Sequence, residues 1–401
     1  MQASEQAVEL SEGGIPEETA VMTAQGPVAV EDLTVGSQVY ALDVTTGLTK
    51  LKPVTGIIPF EYSGPGIHAE ARRIDLRLHP EQRLPFRTAA IDTVRFQRVA
   101  DIETLSEYHL ISGWQSTPGQ RLETVDITDL TDSFEVCVST DCHGHTFRAA
   151  LPEGCEPIGK NGATGYHFDA GTFKRYQATL ESLGSDVFVR AGKNHHRRPY
   201  RFDGDDFIRF LGWFVTEGSI TQDPDSESAT VRITQKTPEY ARRIAALFRR
   251  MNLDVSDYEG AFSLGSKLYA RLLERLCGNG SHSKHLPELT WNLSTEQQRL
   301  LLEVLLDGDG NDWGVYYTSS DQLARDVLRL CVEVGLKPRY GRRNEMWQLY
   351  IGQVNDRLSP DRQVSQIDIE SCLYRLTVAD YSVVLMGRNG KFQWVGVSGV
   401  S

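Results

Sequence analysis

Two stretches of this chain are one element written twice. Residues 210–218 read Phe-Leu-Gly-Trp-Phe-Val-Thr-Glu-Gly, and residues 302–310 read Leu-Glu-Val-Leu-Leu-Asp-Gly-Asp-Gly. Each is an apolar helical run that ends on a carboxylate, Glu217 or Asp309, followed by glycine. A carboxylate at a helix C-terminus faces the negative end of the dipole, which is unfavourable by a few tenths to ~1 kcal/mol. A chain that puts an acid there twice is expected to hold a cation at the two tips. For one copy alone, an ordinary apolar helix capped by Asp-Gly is an equal reading. Two copies in matching surroundings argue against it.

The surroundings do match. Residues 205–217 carry an apolar helical stripe (Phe207, Ile208, Leu211, Phe214, Val215). A strand pattern follows at 229–234, then an amphipathic helix over 237–251 with a Thr-Pro start, then a helix over 268–277. In the second half, Ser294 with Gln297 three residues later opens a helix that runs to Asp309. A strand from Val315, a helix over 320–334 and strand pieces at 337–342 and 346–351 complete the second copy. This is an internal duplication at the supersecondary level.

The ends of the chain have a different character. Short β-type runs separated by turn residues occupy 19–60, with more at 74–78 and 96–99, and β character returns over 366–395. Residues 1–13 read as a disordered polar lead. Residues 115–200 are polar and irregular, rich in Gly, His and Asp, with one helical stretch near 171–183 and a basic end from Lys193 to Phe202. The pattern predicts one β domain, residues 14–114 and 362–398, interrupted by a bridging or DNA-recognition module at 115–203 and an α/β unit at 204–352.

With 401 residues and 40% hydrophobic content, the chain can build two or three cores. No apolar run of about 18 residues exists, so no membrane partner is expected. The acidic N-terminus lacks a signal segment, which predicts a soluble, intracellular, cytoplasmic protein; a monomer is expected. The net charge of −12 argues against nucleic-acid binding by the molecule as a whole. Arginine is clustered, however, at 197–198, 242–243, 249–250 and 342–343, and arginine suits phosphate and guanine edges. Six scattered cysteines do not make a disulfide framework. Cys137, Cys142, His143, His145 and Cys155 are the one metal-like cluster, and their spacing fits no standard zinc pattern.

The duplicated acid helices resemble the LAGLIDADG homing endonucleases. Matching 210–218 and 302–310 to that nine-residue motif puts Glu217 and Asp309 at the catalytic acid position. The second copy matches better, since Asp307 and Gly308 also fit. Lys284, in Ser-Lys-His-Leu-Pro, resembles the lysine block that precedes the second motif in the family, where the lysine lies near the scissile phosphate. The resemblance implies two pseudo-symmetric αββαββα repeats and a Mg²⁺ (or Mn²⁺) site on Glu217 and Asp309. It further implies hydrolysis of both strands of a long, asymmetric duplex site. The physics agrees: side-by-side carboxylates repel unless a cation neutralises them, and Mg²⁺ takes oxygen ligands and shares its shell with phosphate. Gly212 would let the two helices approach. Candidate DNA contacts are Arg197, Arg198, Arg201, Arg232, Lys236, Arg339, Arg342 and Arg343.

The ends resemble an intein splicing (Hint) domain, through residues 14–21, 32–39, 373–378 and 386–395. The fold class expected is therefore α+β, the two repeats inserted in an all-β Hint domain. The splicing positions are degenerate. Gly14 stands where a Cys or Ser nucleophile belongs, and the usual Thr-x-x-His block reads His79-Pro-Glu-Gln82. The closing His-Asn pair reads Gly396-Val397, and Ser398 alone keeps the downstream nucleophile position. The expected function is a site-specific DNA endonuclease on a splicing-inactive intein frame. Two alternatives stand beside it: an intein that splices or cleaves by unusual chemistry, and a DNA-binding regulator that does not cut.

Overall fold

The computed structural model describes residues 13–88, 91–191, 198–222, 228–352 and 356–399; residues 1–12 of the expected polar lead lie outside these. The chain divides into two compact units, Gln120–Asp309 and Met1–Gly119 with Gly310–Ser401.

In the first of these, the strands Thr124–Asp126 and Arg201–Asp203 pair antiparallel, so the chain enters and leaves the intervening module through one ladder. The module is not irregular, as its composition suggested. It holds a four-stranded antiparallel sheet, ordered Gly159–Asn161, Gly165–Asp169, Glu135–Ser139, Asp186–Arg190. Helix α1 (Gly144–Ala150) follows the Glu135–Ser139 strand, and helix α2 (Ala170–Leu183) opens on Asp169, whose side chain accepts from Thr172 N. Val136, Val138, Phe147, Phe168, Phe173, Leu180 and Phe188 are all buried. The strands have at most five residues, too few for alternation to stand out between Gly- and Asp-rich turns.

Helix α3 (Gly204–Glu217) starts on Asp203, which caps Asp206 N, and buries ten of its residues. Two strands, helix α4 (Pro238–Arg250), two more strands and helix α5 (Lys267–Cys277) follow, so the first copy runs helix-strand-strand twice and closes on a helix. Its sheet is ordered Gly218–Gln222, Ala229–Thr234, Ala261–Gly265, Ser256–Tyr258. Val231, Ile233, Phe262 and Leu264 point inward; Ser219, Thr221 and Arg232 point out. Helix α6 (Thr295–Asp309) packs along α3.

In the other unit, the long strand Leu48–Ala71 pairs antiparallel with Val364–Val378, in register from Ala69 opposite Val364 to Gly56 opposite Thr377. Ile15–Pro16 adds to that second strand at Leu373 and Tyr374, and Ser398–Gly399 adds at Thr377 and Val378. The core gathers Val21, Val39, Ile74, Leu84, Leu376, Val384 and Val395 among others. Residues after Asp309 group here with the β frame rather than with the unit expected over 204–352. The hairpin Arg339–Arg343/Met346–Tyr350 meets the frame at Arg339 opposite Lys391. Helix α7 (Asp321–Glu333) is tied to the frame by Tyr40, whose hydroxyl donates to Glu333 at 2.5 Å, and by Arg329, which donates to Ala24 O.

The second copy is shorter than the expected αββαββα plan. After α6 the first strand is reduced to a single bridge, Gly310 with Tyr316. Asn311 explains this: its side-chain oxygen accepts from Trp313 N and Val315 N, and Gly314 takes φ +69°, so the chain turns instead of extending. After the hairpin, the next helix among the described residues is the four-residue α8 (Pro360–Gln363).

Candidate active site

The tips of α3 and α6 are brought together by the absence of side chains. A Cβ on Gly212 would lie 2.8 Å from Val304 Cγ1, and one on Gly308 would lie 2.5 Å from Thr216 Cβ. Both clashes would force the helices apart. Asp307 turns the other way and pairs with Arg243 of α4 at 2.9 Å. That leaves Asp309 to face the centre.

The electrostatics link Asp309 to both of the other expected residues. Burial, then the neighbouring Glu217 carboxylate, push the Asp309 carboxyl up to about 7, against the pull of Lys284. Burial also raises Glu217, opposed by a hydrogen bond from Gln235 Nε2 to Glu217 Oε1 at 2.7 Å. Lys284 is 4% exposed, and burial lowers it to about 8, with Cys277 and Asp309 opposing. Its Nζ donates to Phe214 O at 2.7 Å and lies 3.4 Å from the centroid of the Phe214 ring.

The Asp309 carboxylate accepts no hydrogen bond among the described residues. Two half-buried carboxylates, the Glu217 charge opposing ionisation of Asp309, offer oxygen donors only and fit a hard divalent cation such as Mg²⁺ or Mn²⁺ that would complete its shell with water and phosphate. The zinc-like cluster does not assemble: among the described residues no group of three or more His, Cys, Asp or Glu is placed to hold a metal. Cys137 is buried in its strand, where burial pushes its thiol up to about 11.

Gln235 was not legible from the sequence. It is 7% exposed, holds Glu217 with its amide nitrogen, and accepts from Thr237 N with its amide oxygen. The neighbouring Lys236, an expected DNA contact, is exposed: one residue points at the site and the next at solvent.

The arginines separate into groups. Arg232 projects from the outer face of its sheet, opposite Ser219 and Ser263. Arg343 is also exposed, and Arg339 is half-buried and stacked on the Tyr350 ring at 4.9 Å. Arg342 alternates to the opposite face, where it stacks on Trp347 and meets Asp321 at 3.4 Å. Arg198 is 5% exposed and donates to Gly265 O, so it is a packing residue rather than a free phosphate contact. Arg201 is committed to Asp126 and Glu181 and closes the module instead of presenting charge. Arg197 lies outside the described residues.

No protein-family model matches the chain. A curated protein named ATP-dependent Clp protease proteolytic subunit, from Chlamydomonas moewusii, is 20% identical over 326 residues, which span 79% of this chain and 27% of that protein. The chain thus spans about a quarter of that relative's length. Similar solved structures include inteins and a homing endonuclease. The G-1F mutant of the Ssp DnaB mini-intein variant M86 is 14% identical and covers 27% of this chain and 66% of that one, with a TM-score of 0.21. The homing endonuclease I-WcaI bound to its DNA recognition sequence is 11% identical, covering 37% and 76%, with a TM-score of 0.27. A splice-inactive variant of the AceL NrdHF class 3 split intein is 10% identical, covering 63% and 97%, with a TM-score of 0.22. Likeness this weak places no residue. Among the described residues, no helix is long and apolar enough to cross a membrane.

The splicing-like positions converge in the β frame. Gln82 Nε2 donates to Gly396 O, and a Cβ on Gly13 would strike the Gln82 side chain. His79 stacks edge-on against Tyr62 at 4.7 Å, and its Nδ1 accepts from Glu81 N; burial lowers its pKa. Val397 is buried, and its N donates to Ser382 O. A Cβ on Gly14 would meet Phe60 Cζ at 2.7 Å and Leu373 Cβ at 2.8 Å. The side chain of Ser398 lies outside the described ones.

Proposed function

We propose that this chain is a site-specific double-strand DNA endonuclease on an intein-like frame that does not splice. Glu217 and Asp309 hold a divalent cation, and Lys284 assists. The supporting observation is that Asp309, at the tip of one of two helices kept in contact by Gly212 and Gly308, interacts electrostatically with Glu217 at the other tip and with Lys284 from the loop after α5. A bound Mg²⁺ would supply a water of lowered pKa and a counter-charge for the phosphate. The residues do the rest. Glu217 is oriented by Gln235; Asp309, free of hydrogen bonds among the described residues, offers its oxygens to the metal. Lys284, with a pKa of about 8, is mostly charged at neutral pH and would offset charge that develops on a bound phosphate. Arg232, Lys236 and Arg343 offer exposed cations for the duplex backbone.

The absence of an attacking side chain at Gly14 and of a cyclising one at Val397 weighs against the splicing alternative. A randomised plasmid library, incubated with Mg²⁺ and wild type or Asp309→Asn, tests the reading. Cleavage at one sequence by wild type alone is expected. Binding to DNA without cleavage by the wild type would favour the regulator and overturn the endonuclease.

A further inference from the structure

A second cationic site lies wholly within the β-frame unit. The turn at Arg72 and Arg73 and the hairpin end at Arg339 and Tyr350 line a cavity of about 430 Å³, with Lys337 on its wall and Trp313 at its rim. The three guanidiniums have no acidic partner among the described residues. The one nearby carboxylate, Asp356, is already engaged by Lys337 Nζ and Gln393 Nε2. Arg73 Nε is buried with no hydrogen-bond partner among the described residues. The charges oppose one another: Arg73 and Arg72 add to burial in lowering Arg339, and Arg339 and Arg73 do the same to Lys337. An anion between like charges packed this way would stabilise them.

The shape specifies more than a free anion. The cavity is larger than one phosphate needs and falls in the range of small-molecule sites. Arg339 is held flat by the Tyr350 ring, which presents its fork to a phosphate. Trp313 is 88% exposed, an unusual place for so large an apolar surface, and its ring offers a face on which a base can stack.

We propose that Arg72, Arg73 and Arg339 form a nucleotide-phosphate site, with the adjoining base stacked on Trp313. The site is separate from the acid pair and requires no cleavage. Its ligand is a phosphate ester carrying a base, from either a DNA strand or a free nucleotide.

The test is fluorescence anisotropy of the full chain with a fluorescein-labelled single-stranded deoxyhexanucleotide, in EDTA. The double variant Arg73→Ala,Arg339→Ala is expected to weaken binding at least tenfold and to lower the log–log salt slope by roughly 1.4, at ~0.7 per contact. Trp313→Ala, at an exposed position that no packing depends on, is expected to weaken binding about fivefold or more. Displacement by deoxyguanosine monophosphate would assign the site to free nucleotides; a lack of displacement, with the variant losses intact, would assign it to a strand. Unchanged hexanucleotide affinity in Trp313→Ala and in the double variant would overturn the proposal.

Discussion

Lys284 Nζ donates a hydrogen bond of 2.7 Å to the carbonyl of Phe214, in the last turn of the helix that ends on Glu217. The ammonium therefore satisfies a carbonyl at the negative end of the dipole and stays beside the acid pair. Lys284→Met is expected to slow single-turnover cleavage by about 10²–10³. Metal affinity, followed by Mn²⁺ titration, should change far less. Wild-type rates in this variant would remove Lys284 from the mechanism.

The metal-free protein should lose stability as pH rises. The Asp309 carboxyl titrates near 7 in the fold and lower when unfolded, so between those values the folded state binds more protons. Its contribution is present below the unfolded pKa and lost through the folded one. Allowing for partial exposure, the loss is ~1–2 kcal/mol. Urea melts in EDTA near pH 5 and near pH 7.5 measure it, and Asp309→Asn should flatten the difference.

The helix contact tolerates no bulk. Gly308→Val would drive a side chain into Thr216, and Gly212→Val into Val304. Each is expected to lower unfolding free energy by about 1–3 kcal/mol and to reduce cleavage with it. Denaturant midpoints check the first effect; unchanged midpoints would mean the helices are not held by this contact.

Arg232 and Arg198 should behave oppositely. Arg232→Ala, on the outer sheet face, is expected to lower the salt slope of duplex binding by about 0.9 with little change in melting temperature. Arg198→Ala removes a buried donor to Gly265 O and should lower the melting temperature while leaving that slope unchanged.

Flanked by two reporter domains, the chain should remain one uncleaved polypeptide by mass spectrometry. Gly14→Cys combined with Val397→Asn is expected not to restore splicing, because a Cβ at residue 14 meets Phe60 and Leu373. Joined reporters would show that the frame retains the chemistry.

Much of this was legible without coordinates. The capping Ser294, the apolar stripes and the acid-glycine ends place α3 and α6 by local rules; the structure adjusts their bounds by a residue or two and adds the Asp203 cap. The module expected at 115–203 was missed as a sheet because its strands are short and their partners distant in sequence: Glu135–Ser139 pairs with Asp186–Arg190. The shortened second copy was missed because it depends on the Asn311 turn, and a single side chain there decides whether the backbone extends.

The sequence by itself determined which residue types stand at the helix tips and which splicing groups are missing, because both are written in consecutive residues. Only the tertiary structure decided which cations reach solvent. Arg342 and Arg343 are both exposed, whereas Arg198, in an equally basic run, is buried against Gly265 O. It alone placed Gln235 on Glu217 and gathered Arg72, Arg73 and Arg339. Burial and charge pairing are set by long-range contacts, and no local pattern encodes them.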